Sequence, residues 1–561
     1  MRIAPSVLLI LVTFHQPAWA GSPTFAEDPM NTLPFRHVSP ISAERHIHLF
    51  MGSGLGWVDF DRDGCFDLIC CQGAPVNSAP LKDAPPALRL CRGSGHRFTD
   101  QSAAAGFTGT AYAFGLTIGD FDNDGFPDVF VTGLFSAALY FNNGDGTFTN
   151  RTQAAGIAPR GFGAGCCWTD FDNDGCLDLL YIRYIAIPAN RYPLCTVPYQ
   201  GKTVAISCNP RKLSGEPDSL YRSLGDGTFT DVTTSSGLAA TPPRPGLGCA
   251  AADLNDDGTV ELYVANDSAP NELWIPAGAN RFQEHGFLAG VAVNRNGASE
   301  AGMGVAVGDV DGDLRPDLYV TNFFNETNTL YRNEGGLAFL DVTEAVGIAA
   351  PSRQRLGFGV TLADFDNDGW PDFLVANGHV QDQLDKVGIV NEPFAQVSQV
   401  LQNRSGRFTD VSRNVGPFFR EPHVSRGTAA ADINGDGRID VAVLRLNDQA
   451  SLLSNTTTDL GHWMGIELQG TTSNRDGIGA TVIVRAEGRG WRRDRMSSAS
   501  YLSCDSPVLH FGLADQVRID TVTVRWPGGT EEQFTSTPVD SVSRLVEGTG
   551  SPMKVTVKST Q

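Results

Sequence analysis

Asp364-Phe365-Asp366-Asn367-Asp368-Gly369-Trp370-Pro371-Asp372 is the stretch that decides the fold of this chain. Three carboxylates alternate, a glycine turns the backbone, and a fourth carboxylate arrives at the ninth position. Ligands that offer only oxygen suit a hard cation, and Ca²⁺ accepts about six to eight oxygens in flexible geometry. The peptide carbonyl of the seventh residue can add one more. The glycine permits the sharp bend, as in the first half of an EF-hand loop. This loop, however, closes at its ninth residue and runs into Phe373-Leu374-Val375-Ala376, an apolar strand-like run rather than a helix.

The same spacing recurs along the chain. The first copy is Asp59, Asp61, Asp63, Gly64 and Asp67; the second is Asp120, Asp122, Asp124, Gly125 and Asp128. The third is Asp170, Asp172, Asp174, Gly175 and Asp178, and the fourth, softer, is Asp253, Asn255, Asp257, Gly258 and Glu261. The fifth is Asp309, Asp311, Asp313 and Asp317, with Leu314 where the glycine should stand. The sixth holds Asp364, Asp366, Asp368 and Asp372, and the seventh is Asp432, Asn434, Asp436, Gly437 and Asp440. Asp, Asn and Gly are ordinary turn residues, so one such loop could be a solvated turn. Seven with one spacing point to metal sites, with up to seven Ca²⁺ ions as the expected cofactor. In the fifth loop Leu314 must take the bend that glycine takes elsewhere.

A chain of 561 residues exceeds what one hydrophobic core usually supports, and 41% hydrophobic with 19% charged residues reads as globular. The 62 glycines and 32 prolines indicate many turns and short strands. Formal net charge is −21, and the loops hold 26 side-chain carboxylates, so seven Ca²⁺ ions would leave about −7. The acidity is mostly ligand inventory, and it argues against nucleic-acid binding, which needs a basic face. Residues 1–20 read as a secretory signal: Arg2, an apolar run from Val7 to Phe14, and Ala18-Trp19-Ala20 before Gly21. A retained anchor is the alternative. No later stretch is long enough for a transmembrane segment. A secreted, periplasmic or extracellular location suits weak Ca²⁺ sites. The 11 cysteines are an odd number; Cys195 and Cys208 could close one long insertion, and the adjacent pairs Cys70-Cys71 and Cys166-Cys167 read as buried small residues.

Each loop belongs to a longer repeat, and the loop starts lie between 50 and 83 residues apart. A glycine-containing strand precedes the loop, as in Phe114-Gly115-Leu116-Thr117-Ile118-Gly119. Two strands follow, then a turn and a fourth strand carrying Phe98, Phe148, Phe229, Phe282, Phe339 or Phe408. Eight residues after each comes a glycine: Gly106, Gly156, Gly237, Gly290, Gly347 or Gly416. Four strands per repeat are propeller blades. The expected fold is all-β, a seven-bladed β-propeller closed by an N-terminal strand, with Phe35-Arg36-His37-Val38-Ser39 expected to complete the last blade and leave no open edge. The prolyl-rich insertion from Tyr184 to Ser219 is either a functional protrusion or a passive excursion.

The Phe-Gly strand followed by Asp-Phe-Asp-Asn-Asp-Gly-x-x-Asp resembles the integrin alpha-type FG-GAP or VCBS repeat over residues 32–455. That resemblance implies seven blades with Ca²⁺ in the hairpins between the first two strands of a blade. Over residues 460–537, Ser473-Asn474-Arg475-Asp476-Gly477-Ile478-Gly479-Ala480, His510-Phe511-Gly512-Leu513 and Arg525-Trp526-Pro527-Gly528-Gly529 are similar to the ASPIC/UnbV domain, expected as a small C-terminal β domain. The pairing of the two resembles the cartilage acidic protein family and its bacterial relatives. Residues 538–561 read as a loose tail, apart from a possible strand at 554–558.

No nucleophile elbow, phosphate loop or dinucleotide fingerprint is present. His510, His379 and His423 read as structural. Arg426 either lines a central channel or pairs with an Asp, and Trp491-Arg492-Arg493-Asp494-Arg495 is a solvated basic turn or a partner surface. Sequons stand at Asn150, Asn266, Asn325, Asn403 and Asn455. Two functions remain: a secreted Ca²⁺-stabilised module binding a protein or glycan ligand, and a calcium-dependent enzyme of the natural-product kind to which ASPIC/UnbV relatives belong, with a site in the channel.

Overall fold

The computed structural model describes residues 21–27, 32–74, 87–94, 97–188, 192–278 and 280–553. The expected signal over residues 1–20 and the possible strand at 554–558 lie outside the described residues.

Among the described residues, seven four-stranded antiparallel sheets follow one another. The first contains Leu55–Val58, Asp67–Cys71, Leu88–Ser94 and Arg97–Asp100. The second to sixth repeat it, beginning with Ala113–Gly119, Gly163–Thr169, Gly246–Ala252, Val305–Gly308 and Gly357–Ala363. These leading strands carry glycines and other small residues, most of all Gly246-Leu-Gly-Cys-Ala-Ala-Ala252, and are buried along their whole length apart from Leu362. Small side chains are what allow strands from several sheets to converge. The outermost strands behave oppositely: one buried phenylalanine, Phe98, Phe148, Phe229, Phe282, Phe339 or Phe408, stands among more exposed neighbours. Burying each such ring contributes about 1.5–3 kcal/mol.

The seventh sheet has Ser425–Ala431, Asp440–Arg445 and Ser451–Asn455 from the end of the repeats and Phe25–Glu27 from the start of the chain. Phe25 pairs with Asn455 and Glu27 with Leu453. The strand that joins is therefore Phe25–Glu27, not the expected Phe35–Ser39; Arg36 makes only an isolated bridge to Gln449. The glycine pattern explains the choice. A Cβ on Gly106 would come within 2.9 Å of the Phe148 carbonyl oxygen of the next sheet, and one on Gly416 within 2.3 Å of that of Phe25. Phe25 thus occupies the place of the outer-strand phenylalanine. Consecutive sheets share apolar cores, and the seventh packs on the first through Ala429, Ala431, Leu444, Trp57 and Leu68.

Beyond the repeats, a three-stranded and a five-stranded sheet pack around Met464, Val482, Phe511, Val524 and Trp526. Residues after 538, expected as a loose tail, carry two strands instead. Val542–Val546 runs parallel to His462–Gln469, and Ser551–Pro552 pairs with Glu531–Phe534. Leu545 is the buried residue of the first strand while Val542 and Arg544 are exposed, and Glu547 ties the segment down by accepting from the amides of Thr471, Thr472 and Ser473 at 2.8, 2.8 and 2.9 Å.

The insertion between strands of the third sheet is ordered around a hairpin, Cys195–Tyr199 with Lys202–Ile206, and the Cys195–Cys208 disulfide. It reaches the sixth sheet's long connection, where Ser207 and Gln381 exchange hydrogen bonds of 3.0 and 2.8 Å.

Candidate functional site: acidic hairpin loops and the domain that covers them

In each of the seven sheets the residue before position 1 pairs with position 9, as Ala363 does with Asp372, so the acidic loop is the turn of the first hairpin. Position 6 has a left-handed backbone throughout. Gly369 has φ 86° and Leu314 has φ 68°, so leucine does take the glycine's bend in the fifth loop.

The carboxylates divide the work. Position 1 caps the turn: Asp170 accepts from the amides of Asp174 and Gly175, both at 3.0 Å, and Asp364 from those of Asp368 at 3.0 Å and Gly369 at 2.6 Å. Position 5 accepts from the amide two residues on, as Asp63 does from Cys65 at 2.9 Å. Position 9 does more than face the loop. Asp67 accepts from Phe60 at 3.1 Å and Gly93 at 2.8 Å, Asp178 from Phe171 at 3.2 Å and Ser223 at 2.8 Å, and Asp317 from Val310 at 3.1 Å and Asn333 at 2.8 Å. It therefore clasps the loop to the third strand of its own sheet. Position 3 keeps one oxygen bonded to a side chain of that third strand: Arg92 donates to Asp61 at 2.7 Å, Arg222 to Asp172 at 2.5 Å and Gln402 to Asp366 at 2.7 Å.

The other oxygen of position 3 is left over. Oδ1 of Asp61, Asp172, Asp311 and Asp366 is buried without a hydrogen-bond partner, as are Oδ1 of Asp120 and Oδ2 of Asp372. A buried carboxylate oxygen is a pure acceptor, and leaving it unmet is costly. In five loops the structure brings three carboxylates together: Asp59, Asp61 and Asp67; Asp120, Asp122 and Asp128; Asp170, Asp172 and Asp178; Asp309, Asp311 and Asp317; and Asp364, Asp366 and Asp368, with ligand atoms all within 4.8 Å of one another. Such clusters could hold metal ions. Burial, followed by the neighbouring carboxylates, pushes Asp67 and Asp120 up to about 8 and Asp128 and Asp178 up to about 9. A cation among them would remove the repulsion. The donor set fits a hard divalent ion.

The fourth and seventh loops differ. Asn255 spends its amide on Asp257 at 3.0 Å and Glu261 at 3.3 Å, and Asn434 donates to Asp436 at 3.1 Å. An internal amide there does part of what a cation would do. Asp253, Asp432 and Asp440 keep the backbone caps and clasps of the other loops.

Adjacent loops are also tied to each other. The position-4 asparagine of one donates to the position-6 carbonyl of the next: Asn123 to Gly175 at 3.2 Å, Asn173 to Gly258 at 3.3 Å and Asn367 to Gly437 at 3.0 Å. The asparagine ending a third strand reaches back to the preceding sheet's loop, as Asn142 does to Phe60 and Asn403 to Val310, both at 2.8 Å. Asn266, Asn403 and Asn455 are buried, which closes those three sequons to modification, whereas Asn150 and Asn325 are exposed.

The C-terminal domain sits on these loops. Asp476 accepts from the Asp120 amide at 2.9 Å, Arg492 donates to the carbonyls of Asp253 at 2.9 Å and Leu314 at 3.1 Å, and Ala514 donates to that of Asn367 at 3.0 Å. The basic stretch around Arg492 is thus an interdomain seam, neither a solvated turn nor a free partner surface. His510 contacts the Gly437 carbonyl at 3.2 Å, and burial first, then Arg493, lowers it to about 4, in keeping with a structural role.

From this domain residues 496–505 enter the space between the leading strands and bond to all seven sheets. Cys504 donates to Leu55 at 3.0 Å; Leu116 donates to the Leu502 carbonyl at 3.2 Å; the hydroxyls of Ser497 and Ser498 donate to Trp168 at 2.8 Å and Cys249 at 3.2 Å. Ser500 exchanges backbone bonds with Val305, both 2.9 Å, and its hydroxyl accepts from Val360 at 2.9 Å; Asp505 accepts from Ala430 at 2.7 Å. Sequence reasoning missed this segment. Its signal is weak: a Ser-rich run, Ser497-Ser-Ala-Ser-Tyr-Leu-Ser503, of residues that bond well to backbone. Arg426, expected at a channel or beside an Asp, pairs with neither acid nor solvent. It is fully buried, donates to the carbonyls of Phe50, Gly378, Ser425 and His379, and lies 3.9 Å from the centre of the Phe358 ring.

An FG-GAP-like repeat family matches residues 59–131, 136–181, 253–320 and 309–375, and the ASPIC and UnbV family matches residues 470–552. Curated relatives include cartilage acidic protein 1 of Mus musculus, 28% identical over 224 residues, covering 38% of this chain and 31% of the relative. The Homo sapiens protein is 27% identical over 187 residues, covering 32% of this chain and 27% of the relative. The matched region therefore spans less than a third of those relatives. Among solved structures, one described as showing specific recognition of non-reducing terminal N-acetylglucosamine by an Agrocybe aegerita lectin aligns with TM-score 0.35 and 14% identity, over 64% of this chain and 79% of that one, too distant to carry an argument. No helix among the described residues is long and apolar enough to cross a membrane. The chain thus matches FG-GAP-like repeats over part of its length and the ASPIC and UnbV family after them, and is similar over part of its length to cartilage acidic protein 1.

Proposed function

We propose that this chain is a secreted, calcium-binding, seven-bladed β-propeller, closed by its N-terminal strand and capped by its ASPIC and UnbV domain, that works as an extracellular binding module for a protein or glycan. One observation carries it: in four loops the position-3 carboxylate keeps a buried, unpartnered oxygen within a cluster of three carboxylates, shared with positions 1 and 9 in the first, third and fifth loops and with positions 1 and 5 in the sixth. Ca²⁺ would be held by Asp59, Asp61 and Asp67 and their counterparts in the other converging loops. The fourth and seventh loops, where an amide replaces one carboxylate, would bind more weakly. The ion supplies positive charge that lets crowded carboxylates stay ionised; the chain's own residues supply the rigid ring.

Residues 496–505 fill the space between the leading strands with backbone and side-chain bonds to every sheet, which supports the binding module over a calcium-dependent enzyme working in the channel.

Thermal melting after exhaustive chelation, followed by calcium titration, tests the proposal. Saturating one native-specific site 100-fold above its dissociation constant stabilises by about 2.7 kcal/mol, so several sites should raise Tm by many degrees. A melting curve indifferent to calcium overturns it.

A further inference from the structure

The C-terminal domain covers the acidic loops unevenly. Hydrogen bonds reach the second, fourth, fifth, sixth and seventh loops, and Thr472 packs on Gly175 of the third. At the first loop there is instead a cavity of about 390 Å³ between the two domains, within the size range of small-molecule sites. Its walls bring four guanidinium groups, Arg62, Arg475, Arg495 and Arg544, against four carboxylates, Asp59, Glu467, Asp476 and Asp505.

These charges are not all internally matched. Arg544 pairs with Glu467 at 3.0 Å, and Arg475 lies 3.6 Å from Asp120. Arg62 stacks over Phe126, 4.8 Å from the ring centre. Arg495 is different: only 5% exposed, it gives one hydrogen bond, to the carbonyl of Met496 at 2.5 Å, and no carboxylate pairs with it among the described residues. Its backbone is fixed on both sides, by Ala480 and Gly479, each at 2.8 Å. A buried guanidinium on a cavity wall with donors to spare is built to meet a planar anion in a forked geometry.

We propose that this interdomain cavity binds a small polyhydroxylated monocarboxylate, a sugar acid or the uronate unit of a glycan, with its carboxylate on Arg495. Four positive against four negative groups leave the lining neutral, which suits a single negative charge and disfavours a phosphate dianion. Asp476 and Asp505 accept hydroxyl hydrogens, and Ile118 and Pro127 offer an apolar edge to the C–H face of a ring. The proposal deepens the binding-module function and rests on it only for the wall that the first loop supplies.

The test is isothermal titration of the full chain with D-galacturonate, D-galactose and inorganic phosphate, in calcium and again after chelation. Galacturonate should bind saturably in calcium, at least about 10-fold more tightly than galactose or phosphate. Arg495→Gln should weaken it by at least about 10-fold, and Arg62→Gln, at the exposed rim, by about 3-fold. If Arg495→Gln does not fold, the rim variant and the ligand series decide. No galacturonate binding, equal binding of galactose, tighter binding of phosphate, or indifference to both variants overturns the proposal. Calcium-dependent melting without galacturonate binding sinks this inference and leaves the proposed function standing; calcium-independent melting sinks the function instead.

Discussion

Ser500→Ala tests whether the segment over residues 496–505 is a structural keystone. The Ser500 hydroxyl accepts from the buried Val360 amide at 2.9 Å and meets the Thr428 hydroxyl at 2.8 Å. Thr428 keeps a second partner, Thr361, at 3.0 Å, whereas the Ser500 hydroxyl is the side-chain acceptor that meets the Val360 amide. Removing the hydroxyl strands a buried donor, which costs about 1–3 kcal/mol, and takes one hydrogen bond from Thr428, about 1 kcal/mol. The expected loss is about 2–4 kcal/mol. Unfolding entropy near 2.1 cal/mol/K per residue, over roughly 430 residues of repeats, makes this a Tm decrease of only about 2–4 °C. Amide hydrogen exchange is the sharper assay. Protection of Val360 should fall by about 30- to 900-fold, while the outer strand Arg407–Asp410 of the same sheet keeps its rate. Unchanged exchange at Val360 together with an unchanged Tm would refute the keystone role.

Three further outcomes follow from the same geometry. Gly54→Ala would put a Cβ 1.7 Å from the Leu502 carbonyl oxygen, backbone against backbone, so it should displace the segment, open residues 496–505 to limited proteolysis and lower Tm more than Ser500→Ala does. Glu547, whose carboxyl burial would raise but which three amide donors hold down at about 2 against a usual 4.5, contributes stability that is fully present above about pH 4.5 and lost as pH falls toward 2. Glu547→Gln should therefore remove up to about 3 kcal/mol from the C-terminal domain at pH 7, seen in urea unfolding, and flatten its acid limb below pH 4.5. Reducing Cys195–Cys208, which closes a separation of only 13 residues, should raise proteolysis and exchange in the hairpin Cys195–Ile206 while the melting of the sheets stays within about 1 °C.

The repeat was legible because its chemistry is local. Alternating Asp at positions 1, 3 and 5, a residue able to take positive φ at position 6 and a carboxylate at position 9 satisfy one nine-residue turn, and neighbouring residues set that geometry without help from elsewhere. The same holds for Cys195 and Cys208, brought together by one short hairpin. The dual duty of position 9 was less visible, since its second partner is a third-strand amide up to 45 residues away. Which N-terminal stretch completes the seventh sheet was a matter of packing: Phe25 and Phe35 are alike in sequence, and only Gly416 and the edge at Asn455 distinguish them.

By itself, then, the sequence determined the number of acidic turns, their oxygen-only character and the four-strand rhythm between them, because each depends on residues close along the chain. Tertiary structure alone decided that residues 496–505 would fill the middle of the sheets, that Arg426 would rest on carbonyls rather than an acid, and that Arg495 would face a cavity beside the first loop. Those outcomes join groups hundreds of residues apart. Polar side chains that bond to backbone carry no pattern naming their partner; only the positions of strands already packed by their apolar faces can supply it.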